Sequence, residues 1–128
     1  MSEANKPQVG EVSWFDLTVK DAEEVRDFYS KVAGWKYEPI SMGEYSDFAM
    51  ITEGSKPVGG ICHARGVNEG FPAQWLIYIT VENLEESIRH CSELGGEVIV
   101  APKAVSNTRF CVIKDPAGAY AGLIEQAK

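Results

Sequence analysis

Sliding the 128-residue chain along itself produces a match at a spacing of 62: residues 14–64 overlie residues 76–126 without a gap, with nine identities in 51 positions. Average composition would give roughly three. "FDLTVKDAEEVRDFYSKVAGW" (Phe15 to Trp35) lies over "IYITVENLEESIRHCSELGGE" (Ile77 to Glu97), and "FAMITEGSKPVGGIC" over "FCVIKDPAGAYAGLI". Strand overlies strand, helix start overlies helix start, and Gly60 overlies Gly122. Halves with the same hydrophobic spacing are expected to fold as two copies of one supersecondary unit.

The unit is legible from side-chain periodicity. In "SWFDLTV", Phe15, Leu17 and Val19 alternate with Trp14, Asp16 and Thr18, and in "LIYITV", Ile77, Ile79 and Val81 alternate with Leu76, Tyr78 and Thr80. Each is a strand with one apolar face and one mixed face. Asp21 is expected to cap a first helix with Val25, Phe28, Tyr29 and Val32 as its buried stripe and Gly34 as its stop. Asn83 starts a second, with Leu84, Ile88 and Cys91, continuing toward Leu94, before Gly95-Gly96. Strand candidates follow at Lys36–Ile40, Phe48–Thr52 and Val58–Ala64, and again at Glu97–Val100, Thr108–Lys114 and Ala119–Gln126. "ISMGEYSD" (40–47) and "APKAVSNTR" (101–109) read as equivalent rim loops, whose Lys103 and Arg109 are candidates to meet an anion.

The pattern predicts an α+β fold of two tandem βαβββ modules related by a pseudo-twofold axis. Module one covers about 10–64, a linker about 65–73 and module two about 74–126, within one domain, 1–128. Each helix covers the apolar face of its sheet, so the mixed faces turn inward as a cup with the helices outside. Gly60 and Gly122 then stand out, since glycine in a strand interior weakens it unless space or a close approach is needed.

Composition narrows the partners. A net charge of -7 offers no basic stripe for nucleic acid. No apolar run is long enough to cross a membrane, and "MSEANKPQVGE" has no signal-peptide pattern, so a cytoplasmic location is expected. Cys62, Cys91 and Cys111 are odd in number and set among apolar residues, as befits reduced thiols. The expected partner is therefore a small-molecule ligand or another protein.

The duplicated βαβββ unit, "FYSKVAGWKY" after the first helix, "PVGGI" and the closing "DPAGAYAGLIE" together resemble the vicinal oxygen chelate superfamily: glyoxalase I, bleomycin-resistance proteins and extradiol dioxygenases. The likeness runs from about Gly10 to Glu125 and is nearest the bacterial branch related to the mycobacterial 27-kDa antigen. In metal-dependent members, the resemblance implies, four cup-facing positions hold the ion; here they are Trp14, Gly60, Leu76 and Gly122. None has a side chain able to ligate a metal, so none is expected in a metal site and no cofactor is expected. The resemblance also implies a homodimer.

What remains on the mixed face is the expected ligand site: Trp14, Asp16, Thr18, Gly60, Cys62, Leu76, Tyr78, Tyr120 and Gly122, with open space beside the two glycines; the alternative is that the aromatics fill the former metal site and leave no cavity. Asp16 is the candidate general base or anchor for a ligand cation, or it accepts a hydrogen bond from Tyr78 or a backbone group. His63 neighbours Cys62 but on the opposite face of a strand, so no Cys–His pair is expected. The expected function is binding of a small organic molecule without a metal. The alternatives are a metal-independent isomerase, epimerase or lyase with Asp16 as base, and a metal-dependent glyoxalase or dioxygenase using other residues.

Overall fold

A computed structural model describes residues 7–105 and 107–126. The elements run β1 (Val12–Val19), α1 (Ala22–Ala33), β2 (Lys36–Ser41), β3 (Ser46–Ile51), β4 (Pro57–His63), a 3-10 turn (Gly66–Asn68), β5 (Trp75–Thr80), α2 (Leu84–Glu93), β6 (Glu97–Val105), β7 (Thr108–Lys114) and β8 (Tyr120–Gln126). This is βαβββ twice, the α+β architecture the repeat predicts. The chain divides into two compact units: Phe15–Trp75, and the segment up to Trp14 together with the chain from Leu76 onward.

In the Phe15–Trp75 unit the strand order is β2-β3-β4-β1. β1 and β4 are parallel, Asp16 opposite Gly60 and Thr18 opposite Cys62, while β3 is antiparallel to both β2 and β4. Its core is Leu17, Ala22, Phe48, Met50 and Ile61, with Val19, Val25, Tyr29, Trp35, Val58 and Trp75 packed on it. The second unit repeats the topology as β5-β8-β7-β6, with Tyr78 opposite Gly122 on parallel strands and Leu84, Cys111 and Leu123 at its core. Within this unit the chain before Trp14 runs along β5: the Gly10 N–H donates to the Thr80 carbonyl (2.8 Å), and the Thr80 N–H to that of Glu11 (2.9 Å).

Several expectations need correction. The α1 stripe is narrower than its periodicity suggests: Ala22 is buried, but Phe28 is 55% and Val32 66% exposed. Ala22, Val25 and Tyr29 are the helix residues that pack in the core with Leu17 and Val19, while Phe15, in the middle of β1, is 44% exposed. Leu94 is likewise exposed and ends α2 rather than extending its buried face. Asp21 makes no side-chain cap and contributes its carbonyl, which accepts from the Val25 N–H. Asn83 does cap, its Oδ1 accepting from the Glu86 N–H at 2.9 Å.

Both expected rim loops are shorter. β2 reaches Ser41 and β3 begins at Ser46, joined by a tight turn in which the Met42 N–H meets the Tyr45 carbonyl and Gly43 takes φ 101°. β6 runs on to Val105 through "APKAV". Register shifts between Val98 and Val100 and between Val100 and Lys103 take up Pro102, which cannot donate to a regular ladder.

Candidate functional site

The two strand glycines are each covered by the residue opposite. A Cβ built on Gly60 would meet Asp16 Oδ1, and one on Gly122 would overlap the Tyr78 ring at Cδ1 and Cε1. The 62-residue repeat equates Asp16 with Tyr78 as it equates the glycines. In both modules, therefore, the first strand leans a large or charged side chain over the last strand, and glycine lets it lie there. The expectation of open space beside the glycines is corrected in both units.

The two mixed faces differ in character. On β5 and its neighbours, Leu76 and Tyr78 are buried, as is Val112 opposite Gly122, and the Tyr78 ring meets Phe110 edge-on with centroids 6.1 Å apart. Tyr120 sits one inward position before Gly122, with Lys114 Nζ 5.9 Å from its ring centroid. Trp14, in this unit, is half-buried. Apolar and aromatic groups thus close this face.

The face of the Phe15–Trp75 unit is polar. Pairing sets Thr18, Cys62 and Asp47 in one row across β1, β4 and β3, and Asp16, Gly60 and Ala49 in the next. Asp16 and Cys62 are half-buried; Thr18 and Asp47 are buried. The Cys62 thiol is pushed well above the ordinary thiol range, first by burial, then by the charges of Asp16 and Asp47, and by its hydrogen bond to Asp47. It stays protonated and is a poor nucleophile at neutral pH. Removing either charge should favour the thiolate: Asp16→Asn and Asp47→Asn are each expected to speed alkylation of Cys62 by iodoacetamide at pH 8, on the order of tenfold, read peptide by peptide in a mass spectrometer. Unchanged rates would show that the carboxylates do not act on the thiol.

Asp47 and His63 are the residues that reading the sequence missed. Asp47 is 4% exposed. Its Oδ1 accepts the His63 backbone N–H at 2.8 Å and lies 3.2 Å from His63 Nδ1. The other ring nitrogen, Nε2, is 3.8 Å from Glu23 Oε1 on α1. Cys62 and His63 do point to opposite faces, yet Asp47 touches both. The repeat carried the signal: Glu23, Asp47 and His63 overlie Glu85, Arg109 and Glu125. There Arg109 pairs with Glu85 and, at 3.4 Å, with Glu125, whose Oε2 accepts the Leu84 N–H. The Arg109 hydrogen bond holds the Glu85 carboxyl below its usual range. In each module a basic side chain, His63 or Arg109, sits between a carboxylate of the helix's first turn and one on the sheet. Arg109 is accordingly occupied in structure, not offered to an anion.

The chain belongs to the Glyoxalase/Bleomycin resistance protein/Dioxygenase superfamily, whose model matches residues 11–121. It is 30% identical over 129 residues to CFP32 of Mycobacterium tuberculosis, which carries a glyoxylase name; the match covers 96% of this chain and 48% of CFP32. DnrV, an anthracycline biosynthesis protein of Streptomyces peucetius, is 27% identical across 91% of this chain and 42% of its own length. The chain spans about half the length of the curated relatives it matches. Among solved structures, the fold is shared with methylmalonyl-CoA epimerase of Streptomyces coelicolor (TM-score 0.55, 13% identity, 94% of this chain and all of that one). It is shared also with a superfamily member from Vibrio splendidus (TM-score 0.57, 12% identity, covering 88% and 97%).

The metal that the superfamily implies does not fit the four corresponding positions. Trp14, Gly60, Leu76 and Gly122 supply no ligating atom from a side chain, and the places a longer side chain would enter at the glycines are filled by Asp16 and Tyr78. Among the described residues, no three His, Cys, Asp or Glu side chains are grouped so as to hold an ion.

Proposed function

We propose that the chain binds a small organic molecule without a metal, on the mixed face of the Phe15–Trp75 unit, with Asp16 as the group the ligand meets. The observation that carries this reading is the Asp16 carboxylate, lying over Gly60 and half-buried beside Cys62. A carboxylate so placed accepts hydrogen bonds from a ligand or balances its positive charge. Thr18, Gly60 and Cys62 share this proposed ligand face with Asp16, whereas Trp14, Leu76, Tyr78, Tyr120 and Gly122 belong to the other unit. A homodimer in the cytoplasm completes the proposal.

A second reading, a metal-independent isomerase, epimerase or lyase, rests on the same carboxylate acting as a base toward a carbon acid; the methylmalonyl-CoA epimerase likeness bears on the fold only. One experiment separates the two. Small-molecule binders are identified by NMR screening, and each is incubated with the protein in deuterated water, with and without Asp16→Asn. An anchor loses about tenfold or more in affinity on substitution, as expected for a hydrogen bond to a charged group. A catalytic base keeps the affinity and loses deuterium exchange into the ligand. Binders whose shifts avoid Asp16, Gly60 and Cys62 altogether would refute both readings.

A further inference from the structure

On the opposite side of the second unit, α2 and the strands beneath it border an open groove of about 420 Å3, lined mainly by Cys91, Leu94, Gly96, Ile113, Pro116 and Leu123, with Ser87 and His90 also on its wall. The repeat provides its own comparison. Cys91 overlies Tyr29, Gly96 overlies Gly34 and Glu97 overlies Trp35. In the Phe15–Trp75 unit, Tyr29 and Trp35 stack with centroids 5.7 Å apart, and Trp75 stands edge-on to both at 5.4 and 5.7 Å. The Trp75 indole N–H donates to the Tyr29 hydroxyl at 3.0 Å. Three rings thus pack together beside α1 in one module. In the other, a thiol stands for Tyr29, an exposed glutamate for Trp35 and Ser13 for Trp75, and the groove lies beside that thiol.

We propose that this groove is a second ligand site, separate from the mixed face, and that it takes a free planar aromatic molecule of one or two fused rings. The sister module shows which shape packs against this arrangement of helix and sheet: flat rings meeting edge and face. The volume falls within the range of small-molecule pockets. The exposed Leu94 leaves the groove reachable from solvent, and the Cys91 sulfur offers the ring edge a polarisable contact. The Asp115 turn on the groove's border is fixed, since Asp115 Oδ1 accepts the Ala117 and Ala119 N–H groups at 2.8 and 3.0 Å.

Cys91 makes the test direct, because a ligand in the groove shields its thiol. Modification of Cys91 by N-ethylmaleimide is followed by mass spectrometry with indole or cyclohexanol added, Cys62 and the fully buried Cys111 serving as internal controls. Indole is expected to slow Cys91 modification about tenfold as it nears saturation, to leave Cys62 unchanged, and to shift the backbone NMR signals of Gly96 and Ile113. Cyclohexanol should protect far less. Cys91→Tyr, which restores the sister residue, and Leu94→Glu, which charges the opening without touching the core, should each remove the indole effect. No protection, equal protection by cyclohexanol, or indole shifts confined to Asp16 and Gly60 would overturn the proposal. So would protection appearing only as the protein self-associates, which would make the occupant a side chain of another copy. Of these outcomes only shifts confined to Asp16 and Gly60 bear on the mixed-face reading, which they would support; failure of that reading is read separately, from Asp16→Asn.

Discussion

Gly122→Ala is expected to destabilise the fold by about 1–3 kcal/mol, the usual cost of forcing extra atoms into a packed interior, and to lower Tm by several degrees. The added methyl would overlap Tyr78 Cδ1 and Cε1. That ring is buried and held against Phe110, so it has little room to swing away. Gly60→Ala meets a different neighbour, the half-buried Asp16 carboxylate, which can rotate toward solvent; its cost in stability should be smaller. The cause is checked by a cycle with Tyr78→Ala. If the ring is the obstacle, Gly122→Ala should cost much less in the Tyr78→Ala background, leaving a coupling of about 0.5–3 kcal/mol. Additive costs, measured by urea unfolding, would mean that the glycine serves something other than the ring.

The repeat made most of the fold readable, because period-2 strands, an Asn cap and glycine stops are local signals that survive divergence. β7 appears at Thr108–Lys114 as read from its alternation. The Gly60–Gly122 pairing likewise came from sequence alone. What escaped was decided between strands. Whether Phe28 and Val32 are covered depends on how α1 lies over β1, which helical periodicity does not contain. That β6 continues through Pro102 depends on register shifts opposite β7. The Asp47–His63–Glu23 set joins residues 16 and 40 positions apart across three elements. Its only trace in the sequence is that the repeat places ionisable residues at the same three positions, with basic residue and carboxylate exchanged between the strands.

The same distinction governs the glycines. As letters, Gly60 and Gly122 in place of chelating residues read as vacated space. In three dimensions the space belongs to Asp16 and Tyr78, so the change from the metal-binding pattern involves both strands of each pair: a ligand position on the last strand and the residue facing it on the first.

The central claim is that these paired positions give the protein a ligand face that works without the superfamily's chelated ion. It is tested most directly by measuring bound metal. Protein purified without chelators or an affinity tag is equilibrated in turn with Mn, Fe, Ni and Zn salts, desalted, and measured by plasma mass spectrometry beside its Asp16→Asn variant. Wild type and variant should retain the same trace, far below one ion per chain. One equivalent of a transition metal held by the wild type and lost on Asp16→Asn would contradict the claim and place the chain among the metal-using members.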